Sequence, residues 1–318
     1  MGKMLFVYNP RSGKGQIRSQ LSYLLENFGK HGYEVTVHPT QRAMDAAAFV
    51  ETHVKEYDII VCSGGDGTLD EVVTGIQRSG CRIPLGYIPA GSTNDFANSL
   101  GIPRQMRQAG KAIMEGEVYH CDVGMLNEAY FVYVAAFGAF TEVSYKTSQE
   151  WKNMIGHMAY LLEGVKSLSA LKSWHMSFHS KERSGTGDFL YGMITNSNSV
   201  GGFKGITGKD VTLNDGIFEV TLIRDPDNFM ECPAIINSLL TREKNRYIIT
   251  FKTSKVEFCS EGEVPWTRDG EYGGSHKDVL IENLPKALPI IVMEHSNELL
   301  EEIPEEEEDW EESPIEEN

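Results

Sequence analysis

Four times between residues 3 and 123 the chain repeats one pattern: a short apolar run, a polar loop, then apolar side chains at helical spacing. Met4–Tyr8 leads to Ile17, Leu21, Leu24, Leu25 and Phe28, closing at Gly29. Tyr33–His38 leads to an alanine-rich stretch over Asp45–Glu56, Ile59–Cys62 to Leu69, Val72, Val73 and Ile76, and Leu85–Ile88 to Phe96 and Leu100. Short apolar runs bounded by turn residues read as buried strands, and the i, i+3, i+4 recurrences as amphipathic helices. Strand, loop and helix in alternation predict a parallel α/β sheet, which collects its loops at the carboxyl ends of the strands, where ligands bind.

From about Leu126 the texture turns β-rich. Phe131–Phe137, Trp174–Phe178, Phe189–Thr195, Ile217–Ile223, Tyr247–Phe251, Lys255–Cys259 and Val279–Glu282 read as strands between Gly, Asn, Asp and Ser turns. Two helices interrupt them, near Trp151–Leu171 and Pro233–Arg242. The expected fold class is therefore α/β: an N-terminal parallel-sheet unit over residues 1–125 and a C-terminal antiparallel β-sandwich over 126–295.

Charge bounds the partners. The chain carries −17, but twelve of its acidic residues and no basic one lie in Glu298–Asn318, leaving −5 for residues 1–297. With so few apolar side chains, 298–318 is expected to be a disordered acidic tail. No basic stripe interrupts the body, so nucleic acid is not an expected partner. The start runs directly from Met1–Tyr8 into a polar glycine loop without signal-peptide character, and the longest apolar run, Ala129–Phe140, has 12 residues, short of the ~20 needed to cross a bilayer. A cytoplasmic protein that meets lipid only from the membrane surface is expected. Five cysteines, no two closer than 19 residues, offer neither a disulfide framework nor a zinc site.

Three glycine-rich loops follow three of the predicted strands, so a parallel sheet would gather them on one edge. Asn9-Pro10-Arg11-Ser12-Gly13-Lys14-Gly15 offers consecutive N–H groups to an anion; it lacks the spacing of a Walker A loop, and an ordinary strand-to-helix turn is the alternative. Ser63–Glu71 (SGGDGTLDE) sets Asp66 among three glycines. A carboxylate beside a phosphate is unfavourable unless a cation or a transferable proton stands between them; helix capping is the structural alternative. Pro89–Phe96 (PAGSTNDF) adds Ser92 and Asp95, with helix capping by Thr93 or Asn94 compatible with a site. In the β-rich half, Thr267–Gly274 (TRDGEYGG) contains a hairpin-type Asp269-Gly270 turn followed by Glu271, and Leu213–Phe218 (LNDGIF) reads as a turn in which Asp215 could also help hold a structural cation.

Taken together, NPRSGKG (9–15), GGDGTLDE (64–71), PAGSTNDFA (89–97), LNDGIFEV (213–220) and RDGEYGG (268–274) resemble the diacylglycerol kinase and sphingosine kinase family, in particular its soluble bacterial lipid kinases, in order over about residues 3–293. GGDG alone is shared with NAD kinases and phosphofructokinases. The resemblance implies a nucleotide-binding domain and a β-sandwich with the active site in the cleft between them, and ATP-dependent phosphorylation of a lipid hydroxyl, most simply diacylglycerol to phosphatidic acid. It implies that Asn9, Pro10, Arg11, Ser12, Gly13, Thr40, Gly65, Asp66, Gly67, Thr68, Leu69, Asp70, Glu71 and Ser92 surround ATP. By the same token Asp66 and Asp95 would organise Mg2+, Glu271 would be the general base, and Asp215 with backbone oxygens of Thr212 and Ile217 would hold a structural cation. Two positions depart from the family pattern: Ser92 replaces a commoner threonine and Asp70 a commoner asparagine.

In-line phosphoryl transfer agrees with that inventory, since it needs phosphates held, charge neutralised and a base near the attacking hydroxyl. An NAD kinase would share GGDG but leave RDGEYGG unexplained, and a non-catalytic nucleotide-binding regulator would have no need of Asp66, Asp95 and Glu271. A homodimer pairing through an exposed sandwich edge is compatible with the pattern.

Overall fold

The computed structural model describes residues 1–138, 172–197, 199–200, 203–204, 211–226, 228–241 and 243–293. The helix expected near 151–171 and the acidic tail of 298–318 lie outside the described residues.

In the first half the elements alternate: β1 (Gly2–Tyr8), α1 (Ile17–Lys30), β2 (Tyr33–Pro39), α2 (Asp45–His53), β3 (Ile59–Gly64), α3 (Asp66–Ser79) and β4 (Leu85–Pro89), then α4 (Asp95–Ser99) and α5 (Met106–Glu115). β1 pairs with β2 and with β3, and β3 with β4, all in parallel. β3 and β4 are buried along their whole length, covered on both faces, which is why they read as unbroken apolar runs. The edge strand β2 is only partly buried. Ile17, Leu24 and Phe28 of α1 and Met106, Ala109 and Ile113 of α5 face the same apolar core as β1, β3 and β4.

The second half is built from β5 (Glu117–Leu126), β6 (Ala129–Phe131), β7 (Val134–Gly138), β8 (Trp174–His179), β9 (Ser184–Thr195), the short hairpin β10 (Ser199–Val200) and β11 (Phe203–Lys204), β12 (Phe218–Arg224), α6 (Cys232–Thr241), β13 (Ile248–Thr253), β14 (Lys255–Arg268) and β15 (Glu271–Val292). Apart from one contact of β15 with β4, pairing here is antiparallel. The core is aromatic: Phe131, Phe137, Phe178, Phe189, Phe218, Phe258 and Trp266 alternate inward, with Phe137 and Trp266 rings 4.8 Å apart.

Three features differ from the expectation. The layers share strands: β9 and β14 each pair with β8 through one half and with β7 through the other, so they bend from one face to the opposite one. β15 is 22 residues long where Val279–Glu282 was expected; it leaves β14, runs along β5 and reaches β4 at Ile290 opposite Leu85. All but the β10–β11 hairpin thus belong to one 13-stranded sheet, and Leu288, Ile290, Ile291 and Val292 are buried in the core of the N-terminal half. Hydrogen bonds therefore run without a break across residue 125. Finally, the run expected as one strand over Phe131–Phe137 is two. Between β6 and β7 the N–H groups of Val132, Tyr133 and Val134 turn to the carboxylate of Asp269. Among the described residues no helix is long and apolar enough to cross a membrane.

Candidate active site

The carboxyl ends of β1, β3 and β4 stand side by side, so the three glycine loops meet. Asn9 N–H donates to Ser63 O, Ala90 N–H to Gly64 O, and Thr40 N–H to Tyr8 O, each at 2.7–2.9 Å. The SGGDG and PAGS loops touch backbone to backbone: a Cβ on Gly91 would lie 2.8 Å from the Cα of Gly65. Asn94 locks the second loop, accepting from Gly91 N–H at 2.8 Å and donating to Gly91 O at 2.9 Å. Asn9 holds its own NPRSGKG loop, its Oδ1 accepting from Arg11 N–H at 2.9 Å.

A cleft of about 380 Å³ opens over these loops. It is lined by Asn9, Arg11, Ser12, Thr40, Gly65, Gly67, Thr68 and Glu71 from the first half and by Glu271 from the second. Glu271 is exposed, and one of its carboxylate oxygens occupies the space where a Cβ on Gly67 would stand, so the missing side chain makes room for the acid. A larger cavity, about 540 Å³, lies between α6 and strands β12 and β13 and shares no residue with the glycine loops. Chemistry rather than size selects the first.

The remaining expected residues surround this cleft in different ways. Asp66 and Asp95 open α3 and α4; Asp66 Oδ2 accepts from Thr93 Oγ1 at 3.3 Å and from Asp95 N–H at 3.4 Å. Asp66 Oδ1 is shielded from solvent with no hydrogen-bond partner among the described residues. Burial, then the negative charges of Asp95 and Asp269, push the Asp66 carboxyl up to about 7. Asp95 is itself 1% exposed. Glu71 spends both oxygens on the first turn of α2, accepting from Met44 N–H at 2.8 Å and Ala46 N–H at 3.1 Å, while burial raises its pKa. Leu69 is a core side chain, so only its backbone can serve a ligand. Gly13 lies against the carbonyl of Ala90, Pro10 lies between the lining residues Asn9 and Arg11, and Ser92 sits in the PAGS loop, which contributes no residue to the lining. Asp70, one helical turn after Asp66, faces the Arg268–Glu271 turn rather than the cleft, and its carboxyl is within hydrogen-bonding reach of Asp269.

At the Thr212–Ile217 loop, Asp215 is exposed and its Oδ1 accepts from Ile217 N–H at 3.0 Å. A residue missed in the sequence holds this loop. Asp122, 0% exposed, accepts from Gly216 N–H at 2.6 Å and Lys286 N–H at 2.7 Å, and its own N–H donates to Leu213 O. An acid between Cys121 and Val123 in an otherwise apolar run was the available signal. Asp269 was missed too, because a DG turn explains itself; its 5% exposure and three backbone donors show a second task.

Comparison with known proteins agrees with this geometry. Residues 3–126 match the model of the diacylglycerol kinase catalytic domain. A diacylglycerol kinase of Bacillus subtilis is 34% identical over 278 residues, 86% of this chain and 91% of that protein. Its counterpart in Staphylococcus carnosus is 34% identical over 84% of this chain and 88% of its own length. A solved structure of a diacylglycerol kinase from Bacillus anthracis shares the fold with a TM-score of 0.73 at 20% identity, over 93% of this chain and 98% of that one. With 34% identity sustained over most of both chains, this chain belongs to the diacylglycerol kinase family and is a lipid kinase.

Proposed function

We propose that the chain transfers the γ-phosphoryl group of ATP to the hydroxyl of diacylglycerol, giving phosphatidic acid and ADP, with Mg2+ as the required cation. The observation that carries this reading is the meeting of Glu271 with the phosphate-type loops in one cleft, above an acid with an unsatisfied buried oxygen. Arg11, Ser12 and the glycine-loop N–H groups would hold the nucleotide's phosphates. Glu271 would take the proton of the lipid hydroxyl as its oxygen attacks the γ-phosphorus in line and ADP leaves.

A desolvated carboxylate oxygen without a donor, close to other acids, is an environment that a divalent cation relieves. Asp66, with Asp95, would hold Mg2+, which when bound neutralises charge on the transferred phosphoryl group. The oxygen donors of Thr212, Asp215 and Ile217 suit a hard cation, with a single carboxylate and therefore weak binding. Among the described residues no cluster of three acidic, histidine or cysteine side chains offers a stronger site. The same reading divides the chain near residue 125 into nucleotide and lipid units, sets it on a cytoplasmic membrane surface, and allows a homodimer through the sheet-end strand β13.

The test is transfer from radiolabelled ATP to a panel of diacylglycerol, a sphingoid base, phosphatidylglycerol and an isoprenoid alcohol in mixed micelles, with and without a chelator. Labelled phosphatidic acid that disappears with chelation is expected. Transfer to another lipid in preference to diacylglycerol would overturn the substrate, and transfer that survives chelation would overturn the cation.

A further inference from the structure

Two carboxyl groups from the two halves of the molecule meet beneath the cleft: that of Asp70, half-buried with one oxygen shielded from solvent, and that of Asp269, buried. Asp70 comes from the second turn of α3, and Asp269 from the turn between β14 and β15 that carries Glu271 two residues on. Their carboxyls are within hydrogen-bonding reach, and neither can donate to the other unless one holds a proton. Asp269 already accepts from the N–H groups of Val132, Tyr133 and Val134, an arrangement suited to an anion. Asp70 Oδ1, shielded from solvent, has no hydrogen-bond partner among the described residues.

The charges around the pair point the same way. From β14, Arg268 faces both acids, and its guanidinium also donates to Tyr130 O. From β15, Glu271 adds negative charge beside Asp70; from α3, Asp66 faces Asp269. Among the described residues one cation stands with four acids, which accommodates one ionised member of the pair, not two. Burial and the Asp269 charge push the Asp70 carboxyl well above its usual range; burial also raises Asp269, but its three backbone donors oppose the rise and leave it at about 6.

We propose that Asp70 is a positioning residue whose protonated carboxyl donates to Asp269 and ties the Glu271-bearing turn to α3. Loss of that single proton leaves two anions face to face and drives the turn, and Glu271 with it, away from Gly67. The consequence for turnover rests on the reading of Glu271 as the base; the shared proton itself does not.

Asp70→Asn keeps a donor toward Asp269 with no proton to lose, and Asp70→Ala removes it. Turnover of wild type and both variants is measured from pH 6 to 10, with KM for ATP and Tm at each pH. Asp70→Asn is expected to hold a larger fraction of its own pH 6.5 rate at pH 9 than wild type holds. Asp70→Ala is expected to fall about tenfold in kcat below Asp70→Asn at pH 6.5, with KM for ATP within twofold. The Asp70 pKa is raised on folding, so wild type loses stability as pH climbs from the unfolded value near 4 towards the folded one, and the Tm advantage of Asp70→Asn should grow from pH 5 to 9. A constant or shrinking advantage overturns the shared proton even if Asp70→Ala does not fold. Equal pH–rate profiles for wild type and Asp70→Asn overturn the positioning role. A Glu271→Gln variant with wild-type turnover would overturn the base reading alone, and the Tm series would still decide the proton.

Discussion

The glycine-loop edge of β1, β3 and β4 and the Arg268–Glu271 turn bring acids to one cleft, but different forces hold them there. The edge is a product of local chain order: β3 and β4 are buried along their length and β1 through its centre, each loop follows its own strand, and Gly65 against Gly91 is a contact between neighbouring strand ends. The turn arrives from some 200 residues later, on the hairpin of β14 and β15, and is fixed by long-range polar contacts. Asp269 anchors it to Val132–Val134, Arg268 to Tyr130, and Asp70 to α3. Apolar packing of the strands holds the first region in place, whereas the second is held by charges balanced in a confined space.

The largest effect should come from the glycine-loop side. Asp66→Asn removes the acid that a cation needs and should lower kcat by roughly 10³-fold, as loss of one electrostatic stabiliser commonly does. Activity within tenfold of wild type in the folded variant would break the assignment of the edge as the cation-binding region. On the turn, Glu271→Gln should cost roughly 10²-fold in kcat, the range of general-base catalysis, with KM for ATP unchanged. A defect confined to ATP binding would move Glu271 to the nucleotide side and leave Asp66 as the better base.

A third measurement separates stability from turnover. The Asp66 carboxyl rises to about 7 on folding, so its burial costs nothing below the unfolded value near 4 and its full amount above 7. In chelator, Asp66→Asn should therefore be more stable than wild type by about 4 kcal/mol at pH 8 and by only about 1 kcal/mol at pH 4.5, read from denaturant curves. The same difference at both pH values would show that the acid is not desolvated. Smallest should be Gly67→Ala, where a methyl group meets the Glu271 carboxylate and displaces it: about a tenfold loss of kcat with Tm unchanged. Full activity would show that the two regions need not touch.

Much of the first region was legible in the chain. Met4–Tyr8, Ile59–Cys62 and Leu85–Ile88 lie in the strands found, and the loops after them line or underlie the cleft, because a parallel sheet buries whole strands and leaves their ends to function. The second region was legible only as a motif. RDGE could be seen, but not that Asp269 would break Phe131–Phe137 into two strands, nor that β15 would run 22 residues to the far core. Strand length depends on which partners are available along the way, and neither β14 nor β5 is visible from inside Val279–Glu282.

The sequence by itself determined the order of elements, the three loops at one sheet edge and the identity of the acids, because periodicity, glycine and charge act over a few residues. The tertiary structure alone decided how those acids are used. Asp66 holds an unpartnered oxygen, Glu71 caps α2, and Asp70 meets Asp269 across the two halves. The physical reason is that desolvation and charge coupling depend on distances between residues about 200 positions apart, which only the packed sheet defines.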